Sequence, residues 1–366
     1  RKSQDYHGNR PEAMKRNRVL IIGITLAVLT MMLLGNVIVI AEKLGEVCHT
    51  GYAEYAFYVL ILLLAVIFII RPVIKVHNAP EFPVLAVDDE AKIKELQHFG
   101  KRLASNCGYI ADPEKRREHQ IAFRQELQLY SADHELLKKA LQKEIELRLE
   151  GDDELNVLGI SKRIKEWGKT VFMVTAVSQN GIFDSAAVLV MNYKLIEDLV
   201  LASGFRPTRP QMFRLYVRIL TTSLISYCTS QVFTDMNGVA PFDIASDPSA
   251  VADVNPEDVT GTSPELDGED SISGLLARFK IPGVVVESAL QGAVNALLTL
   301  RIGYVTKAYL MEGPEALSGV RNKRAVKRQA IKSAFKALPG ILAGSASALG
   351  KGLTGFVARM ASKEEK

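Results

Sequence analysis

Two long uncharged runs dominate the hydrophobic pattern at the start of the chain. They extend from Val19 to Ala41 and from Tyr55 to Ile70. As helices that rise about 1.5 Å per residue, they would be about 35 Å and about 24 Å long, which brackets the roughly 30 Å hydrocarbon core of a bilayer. The pattern predicts a two-helix transmembrane hairpin over residues 19–75.

A cleaved signal peptide or a buried hairpin fits these runs less well. A signal peptide has a shorter apolar segment followed by a small-residue cleavage site, and the run from Val19 to Ala41 is too long and lacks a clean site of this kind. A buried hairpin in a water-soluble core rarely combines two such runs with strongly charged flanks. The sequence therefore favours an anchored chain.

The residues after the hairpin have helical periodicity. Residues 76–88 contain two prolines and are predicted to form a linker. From there to about Trp167, charged residues alternate with apolar ones at intervals of three and four, which predicts helices. The clearest helix is predicted from an N-cap at Ser131 to a stop before Gly151. Its short apolar stripe favours packing within its own domain, and a coiled-coil seam to a partner is the alternative.

The chain from residue 171 to 310 is less charged and predicts a packed helical module. The uncharged stretch from Val171 to Phe183 is too short to span a bilayer, so a buried helix pair is expected, with shallow membrane contact as the alternative. A turn around Gly204 precedes an apolar helix from Gln211 to Phe233. The next helix, from Ile281 to Leu310, carries small residues at spacings that allow close contact between helices.

These elements predict an all-α fold, with a transmembrane hairpin followed by a cytoplasmic helical domain. The predicted segments are a basic N-terminus (1–18), the hairpin (19–75), the linker (76–88), a charged helical region (89–170), the helical module (171–310) with an acidic loop (235–273), and a basic, glycine-rich amphipathic tail (311–366). After Pro339 the tail is expected to be flexible and weakly apolar.

Charge beside the hairpin predicts its orientation. Six Lys and Arg residues precede the first run, one lies between the runs, and Arg71 and Lys75 follow the second. Because cytoplasmic flanks carry the excess of Lys and Arg, both ends of the hairpin are expected in the cytoplasm. The formal net charge of the whole chain is only +4, so the uneven distribution of charge is more informative than its sum.

Two charged segments suit contacts with partners. No Lys or Arg occurs between Arg218 and Arg278, while ten carboxylates do, which predicts a mobile acidic loop. A calcium site is the alternative, but no calcium-loop motif is present. The second segment is a basic amphipathic helix, for which lipid or an acidic partner is favoured over nucleic acid, and a solvated face is the plain alternative. Its basic residues are Arg321, Lys323, Arg324, Lys327, Arg328, Lys332 and Lys336.

The motifs of known active sites are absent from the sequence. A phosphate loop at Gly344 to Lys351 has the wrong glycine spacing, and no HExxH, CxxC or GxSxG motif occurs. The three cysteines have no metal spacing, and the six histidines are expected on surfaces or helices. A buried pair of Asp184 with Arg214 or Arg218 would more often be structural than catalytic. No catalytic residue, metal site or cofactor is therefore predicted.

The module contains the string Q-G-x-x-x-A-L-L-T-x-R-x-G, from Gln291 to Gly303. With it occur Asp184, Asn192, Leu195, Gly204, Arg214, Arg218, Gln291, Gly292, Thr299, Arg301, Gly303 and Tyr309. In these residues and in the order of its parts, the chain resembles the YcjF-like bacterial inner-membrane proteins, and the string is the most specific part of the resemblance. The resemblance implies a bacterial inner-membrane location and a module associated with small GTPases, which is not itself an enzyme.

From these observations we expect a non-catalytic membrane scaffold or adaptor for a small GTPase or P-loop NTPase, within an oligomer or larger membrane complex. The first alternative is a self-assembling pore or transport element, with the helices from Val171 to Leu201 and from Ile281 to Tyr304 in the bilayer. The second is a membrane-bound hydrolase that depends on Asp184 or Arg214.

Overall fold

The computed structural model describes residues 27, 31, 34–35, 37–81, 90–177, 181–235 and 283–364. Within these ranges the chain is helical apart from turns and isolated β-bridges, and no strand is formed. The all-α prediction is therefore confirmed for the described part of the chain. The predicted acidic loop lies almost entirely outside the described residues.

The apolar N-terminal part contains one long described helix. Residues 37–48 form α1, and after a turn the chain continues through α2 (Gly51–Ala65), a π-helical segment (Val66–Ile70) and α3 (Arg71–Asn78). The stretch Tyr52–Asn78 is long and apolar enough to cross a membrane by its length and composition. The first predicted span, Val19 to Ala41, lies largely outside the described residues, so the structure supports one apolar helix and does not show the hairpin.

The charged region that follows forms three helices with clear ends. They are α4 (Glu90–Ser105), α5 (Pro113–Leu129) and α6 (His134–Glu150). The N-cap of α6 is Asp133 and not the predicted Ser131, because the Asp133 carboxylate accepts hydrogen bonds from the backbone N–H groups of Glu135 and Leu136. The helix ends before Gly151, as predicted, where φ is +84°.

Four further helices form the body of the protein. They are α7 (Ile160–Val177), α8 (Gly181–Ser203), α9 (Arg209–Asp235) and α10 (Gly283–Glu312), which is followed by a 3₁₀ turn (Gly313–Leu317). Helices α7 and α10 share the most extensive contact, while α8 packs on α9 and on α3. The predicted turn before α9 is present, and the Gln211 side chain caps the helix by accepting from Thr208 N at 2.9 Å.

The last helix is longer than the sequence predicted. Helix α11 (Gly319–Glu364) runs through Pro339 and the glycines beyond it, where a flexible tail was expected. Its buried residues recur on one side both before and after the proline, as Val326, Ala334, Leu338 and Leu342. Because this stripe packs against the core across Pro339, burial outweighs the unfavourable helix propensity of proline and glycine. Helix α3 also extends into the predicted linker, through Asn78.

Candidate functional site

A buried polar pair joins α8 to α10 inside the body. Gln291 Nε2 donates to Asp184 Oδ2 at 2.6 Å, although the two residues are 107 positions apart. Two turns further along each helix, Asn192 and Thr299 are also fully buried. Since an unpaired buried polar group costs free energy, this seam constrains how the two helices pack.

Glycines bring α7 and α10 together. A Cβ atom built on Gly292 would lie 2.8 Å from Ala176 Cβ, and one on Gly303 would lie 2.7 Å from Ile164 Cγ2. Both distances are shorter than a packed core allows, so the close contact of the two helices requires a residue without a side chain at these positions. The two contacts also show that α10 runs antiparallel to α7.

We expect Gly292→Ala to lower the melting temperature in detergent. The added methyl would lie 3.1 Å from both Ala176 N and Phe172 O, so helix backbone would have to move, and overpacking of this kind costs about 1–3 kcal/mol. Gly340→Ala is the matched control, because Gly340 is helical with nothing within 4 Å of an added Cβ. There the same change should stabilise the helix by about 0.5–1 kcal/mol. Equal melting temperatures for the two variants would contradict the close contact.

The apolar helix is joined to the body by polar contacts. Lys75 Nζ near the end of α3 lies 2.9 Å from Glu197 Oε1 on α8, and Lys194 Nζ lies 2.9 Å from Glu197 Oε2. Burial raises the pKa of Glu197, but the hydrogen bonds and charges of Lys194 and Lys75 outweigh it and hold the pKa below its ordinary value. Just after the end of α3, Arg206 N donates to Pro80 O at 2.8 Å.

The body of the protein is similar to a sequence family. Residues 159–336 match DUF697, a domain of unknown function. The matched region, called the DUF697 region below, includes α7 to α10 and the first part of α11. No curated protein and no solved structure matches the chain.

The structure buries most of the module residues that the sequence singled out. In the DUF697 region, the buried ones are Asp184, Asn192, Leu195, Gly204, Gln291, Gly292, Thr299, Arg301, Gly303 and Tyr309. Arg218 is half-buried and Arg214 is exposed. Asp184 is completely buried, and its carboxylate accepts a hydrogen bond from the side-chain amide of Gln291.

The basic residues of the tail lie on the part of α11 that belongs to the DUF697 region. Lys323 and Lys327 are half-buried, and the others are exposed: Arg321, Arg324, Arg328, Lys332 and Lys336. Val326 and Ala330 of the same helix are buried against the body. The segment is thus an amphipathic helix that packs its apolar side against the body and carries its basic residues on the other side.

A second buried network lies outside the DUF697 region. Glu144 on α6 accepts from Tyr109 Oη at 2.8 Å and from Arg148 Nε at 2.7 Å, and His119 Nε2 lies 2.9 Å from its other oxygen. The Arg148 guanidinium carbon lies 4.3 Å from the centre of the Tyr109 ring, and its Nη2 donates to Leu103 O. The network connects α4, α5 and α6.

Electrostatics explains how this network tolerates burial. Burial raises the pKa of Glu144, but the hydrogen bond from His119 and the Arg148 guanidinium outweigh it and hold the pKa below its ordinary value. Burial and the nearby Glu144 carboxylate raise the pKa of Tyr109, so its hydroxyl keeps the proton that it donates. Burial also raises the pKa of the Cys107 thiol, which suits a packing residue.

Sequence reasoning missed this network because its signal is weak along the chain. Glu144 and Arg148 have the i, i+4 spacing of a helical ion pair, but nothing in the sequence shows that they are buried. His119 lies on a helix, as expected of the histidines, but its contact with Glu144 arises only when α5 packs on α6. In the described ranges, no group of three or more His, Cys, Asp or Glu side chains is placed to hold a metal ion.

Proposed function

We propose that this chain is a membrane-anchored, non-catalytic scaffold that holds a small GTPase or P-loop NTPase at the inner membrane of a bacterium. In this proposal both termini face the cytoplasm and a second apolar helix precedes the described one. The DUF697 match over residues 159–336 is consistent with a GTPase-associated module.

The observation that carries the proposal is the joint between the apolar helix and the DUF697 region. Lys75, Glu197, Pro80 and Arg206 connect the two through an ion pair and a backbone hydrogen bond. A flexible linker would let the body drift from the membrane, whereas this joint holds α8 at a fixed position beside the anchor. Fixed placement is what a scaffold requires of its anchor.

The exposed basic side of α11 is the surface we propose for contact with anionic lipid or an acidic partner. Each Lys or Arg near an anionic membrane surface contributes about 1 kcal/mol of attraction. Five of its basic residues are exposed. The attraction falls off within a Debye length, so it acts only on a surface that the anchor already holds nearby.

A self-assembling pore or transport element is the second proposal. Its support is the polar seam of Asp184, Asn192, Gln291 and Thr299 between two sparsely charged helices. Polar side chains inside a membrane bundle often mark a path for ions or solutes. Solute flux into vesicles that contain the chain would favour this function over the scaffold.

Capture of the full chain from native membranes tests the scaffold. The tagged chain is purified in mild detergent, and the bound proteins are identified beside a control from membranes without the tagged chain. We expect a P-loop NTPase to be enriched with the chain. Repeated recovery of the intact chain without any NTPase would contradict the proposal.

A further inference from the structure

The apolar helix Tyr52–Asn78, called the anchor here, and α8 run side by side in the same direction. Lys75 pairs with Glu197, and Pro80 bonds to Arg206 further along both segments. The π-helical segment Val66–Ile70 also packs on α8. The N-terminal half of α8 therefore lies beside residues of the anchor that would be inside a membrane.

The other helices of the body can be placed on the same axis. Arg163 and Trp167 near the start of α7 bond to Asp198 near the end of α8, and α7 ends four residues before α8 begins, so these two helices are antiparallel. Helix α9 begins six residues after α8 ends, and the rings of Tyr193 and Tyr216 are 5.6 Å apart, so α9 is antiparallel to α8 as well. The bond from Gln291 to Asp184 and the antiparallel packing of α10 on α7 make α10 parallel to α8.

In this alignment one cation from each helix falls at nearly the same height. These residues, called the cationic ring below, are Arg71, Lys169, Lys194, Arg214 and Arg301, from α3, α7, α8, α9 and α10. Arg301 is buried within the bundle, whereas the other four are exposed or half-buried. Arg218 lies one turn beyond Arg214 and is half-buried, within reach of the same level by snorkelling. Along each helix from its ring cation toward the apolar end, the sequence of α7 to α10 holds three carboxylates, Asp184, Asp235 and Glu287, of which Asp184 is the one whose side chain is described.

Aromatic side chains lie at the level of the ring. Trp167, which is the only tryptophan of the chain, Tyr193 and Tyr216 are all half-buried or buried there. Trp and Tyr concentrate at membrane interfaces, and Lys and Arg concentrate on the cytoplasmic side. Beyond the ring the surface is apolar, with Val174 41% and Phe183 62% exposed.

We propose that the apolar end of the α7–α10 bundle is embedded in the bilayer from its cytoplasmic side, beside the anchor, with the cationic ring at the interface. The occupant of this surface is the lipid acyl region. The helical segments beyond the ring are about 12 Å long in α7, about 20 Å in α8, about 25 Å in α9 after Arg218 and about 27 Å in α10, which is about two-fifths to nine-tenths of the roughly 30 Å hydrocarbon core.

In this arrangement the Asp184–Gln291 pair lies at the depth of the lipid acyl chains. An ionisable residue at membrane depth faces the inside of a bundle and has a polar partner. Asp184 is fully buried and accepts from Gln291. The pair would therefore hold α8 to α10 within the bilayer, where no hydrophobic driving force joins one helix to another.

Depth-dependent fluorescence tests this inference, which rests on the anchoring in the proposed function. The full chain, with its three cysteines replaced by alanine, is labelled with a fluorophore at Phe183→Cys or Val174→Cys in anionic lipid vesicles. Leu62→Cys is the control at similar height on the anchor, and Leu129→Cys on α5 is the aqueous control. Both control positions are exposed.

Probes at Phe183 and Val174 are expected to be quenched by brominated acyl chains as at Leu62. Iodide should quench them at least about tenfold less than at Leu129, because a charged quencher is excluded from hydrocarbon. If iodide quenches a probe at Phe183 or Val174 as strongly as one at Leu129, while brominated acyl chains quench the Leu62 probe, the inference is overturned and the anchoring stands. A Leu62 probe that behaves like Leu129 would overturn the anchoring as well.

Discussion

Replacing Glu144 with glutamine is expected to lower the free energy of unfolding by about 3–5 kcal/mol. The substitution keeps the size of the side chain but removes the charge that compensates the buried Arg148. Arg148 is 1% exposed and donates to Glu144 at 2.7 Å. The loss would be measured by denaturant unfolding of the full chain in detergent.

Two further variants make this result specific. Glu146→Gln lies on the same helix but is exposed, so it should change stability by less than about 0.5 kcal/mol. Combining Glu144→Gln with Arg148→Met removes the uncompensated charge and should recover part of the loss. A Glu144→Gln variant as stable as Glu146→Gln would show that the network is not formed.

The same network predicts a dependence on pH. Because the pKa of Glu144 is lower in the folded chain than its ordinary value, the unfolded chain binds a proton more readily. The stabilisation is therefore fully present above the ordinary carboxyl pKa and is lost as pH falls through the lowered folded value. The Glu144→Gln variant should lose less stability than the parent chain over that acidic range.

Gly204→Ala is expected to destabilise the chain by about 1–3 kcal/mol more than Gly319→Ala. Both glycines have positive φ, +82° and +74°, so both substitutions carry the same backbone strain. At Gly319 an added Cβ meets nothing within 4 Å, whereas at Gly204 it would clash with Arg148 Nη1 and lie 2.6 Å from Leu103 Cδ2.

Arg148 has little freedom to move away from such a methyl group. Its Nε donates to Glu144 and its Nη2 to Leu103 O, so displacement would disturb the buried network. Melting temperatures of the two variants in detergent give the comparison. An equal loss at both glycines would mean that α8 and α6 do not meet at Gly204.

Patterns local in sequence predicted most of the helices but not all of their ends. The turn at Gly204 and the end of α6 before Gly151 could be predicted because glycine is the residue that favours positive φ, which both positions adopt. The N-cap of α6 was assigned to Ser131, although Asp133 caps it, since both residue types favour that position. The course of α11 through Pro339 depends on burial against the body, which local propensity does not contain.

Contacts distant in sequence explain what could not be predicted at the candidate site. His119 meets Glu144 only after α5 and α6 have packed, and Lys75 meets Glu197 on a helix that lies far along the chain. Gln291 and Asp184 were both selected from the resemblance, but their hydrogen bond required the structure. The cationic ring also emerges only when helices from different parts of the chain are aligned.

If the chain holds a P-loop NTPase at the membrane surface, as we propose, the two should associate on lipid vesicles. Vesicles that contain the full chain, and matched vesicles without it, are mixed with a soluble cell extract and recovered by flotation, and the bound proteins are quantified. We expect a P-loop NTPase to float with the vesicles that carry the chain and not with the empty ones. The same set of NTPases on both kinds of vesicle, or none on either, would contradict the proposal.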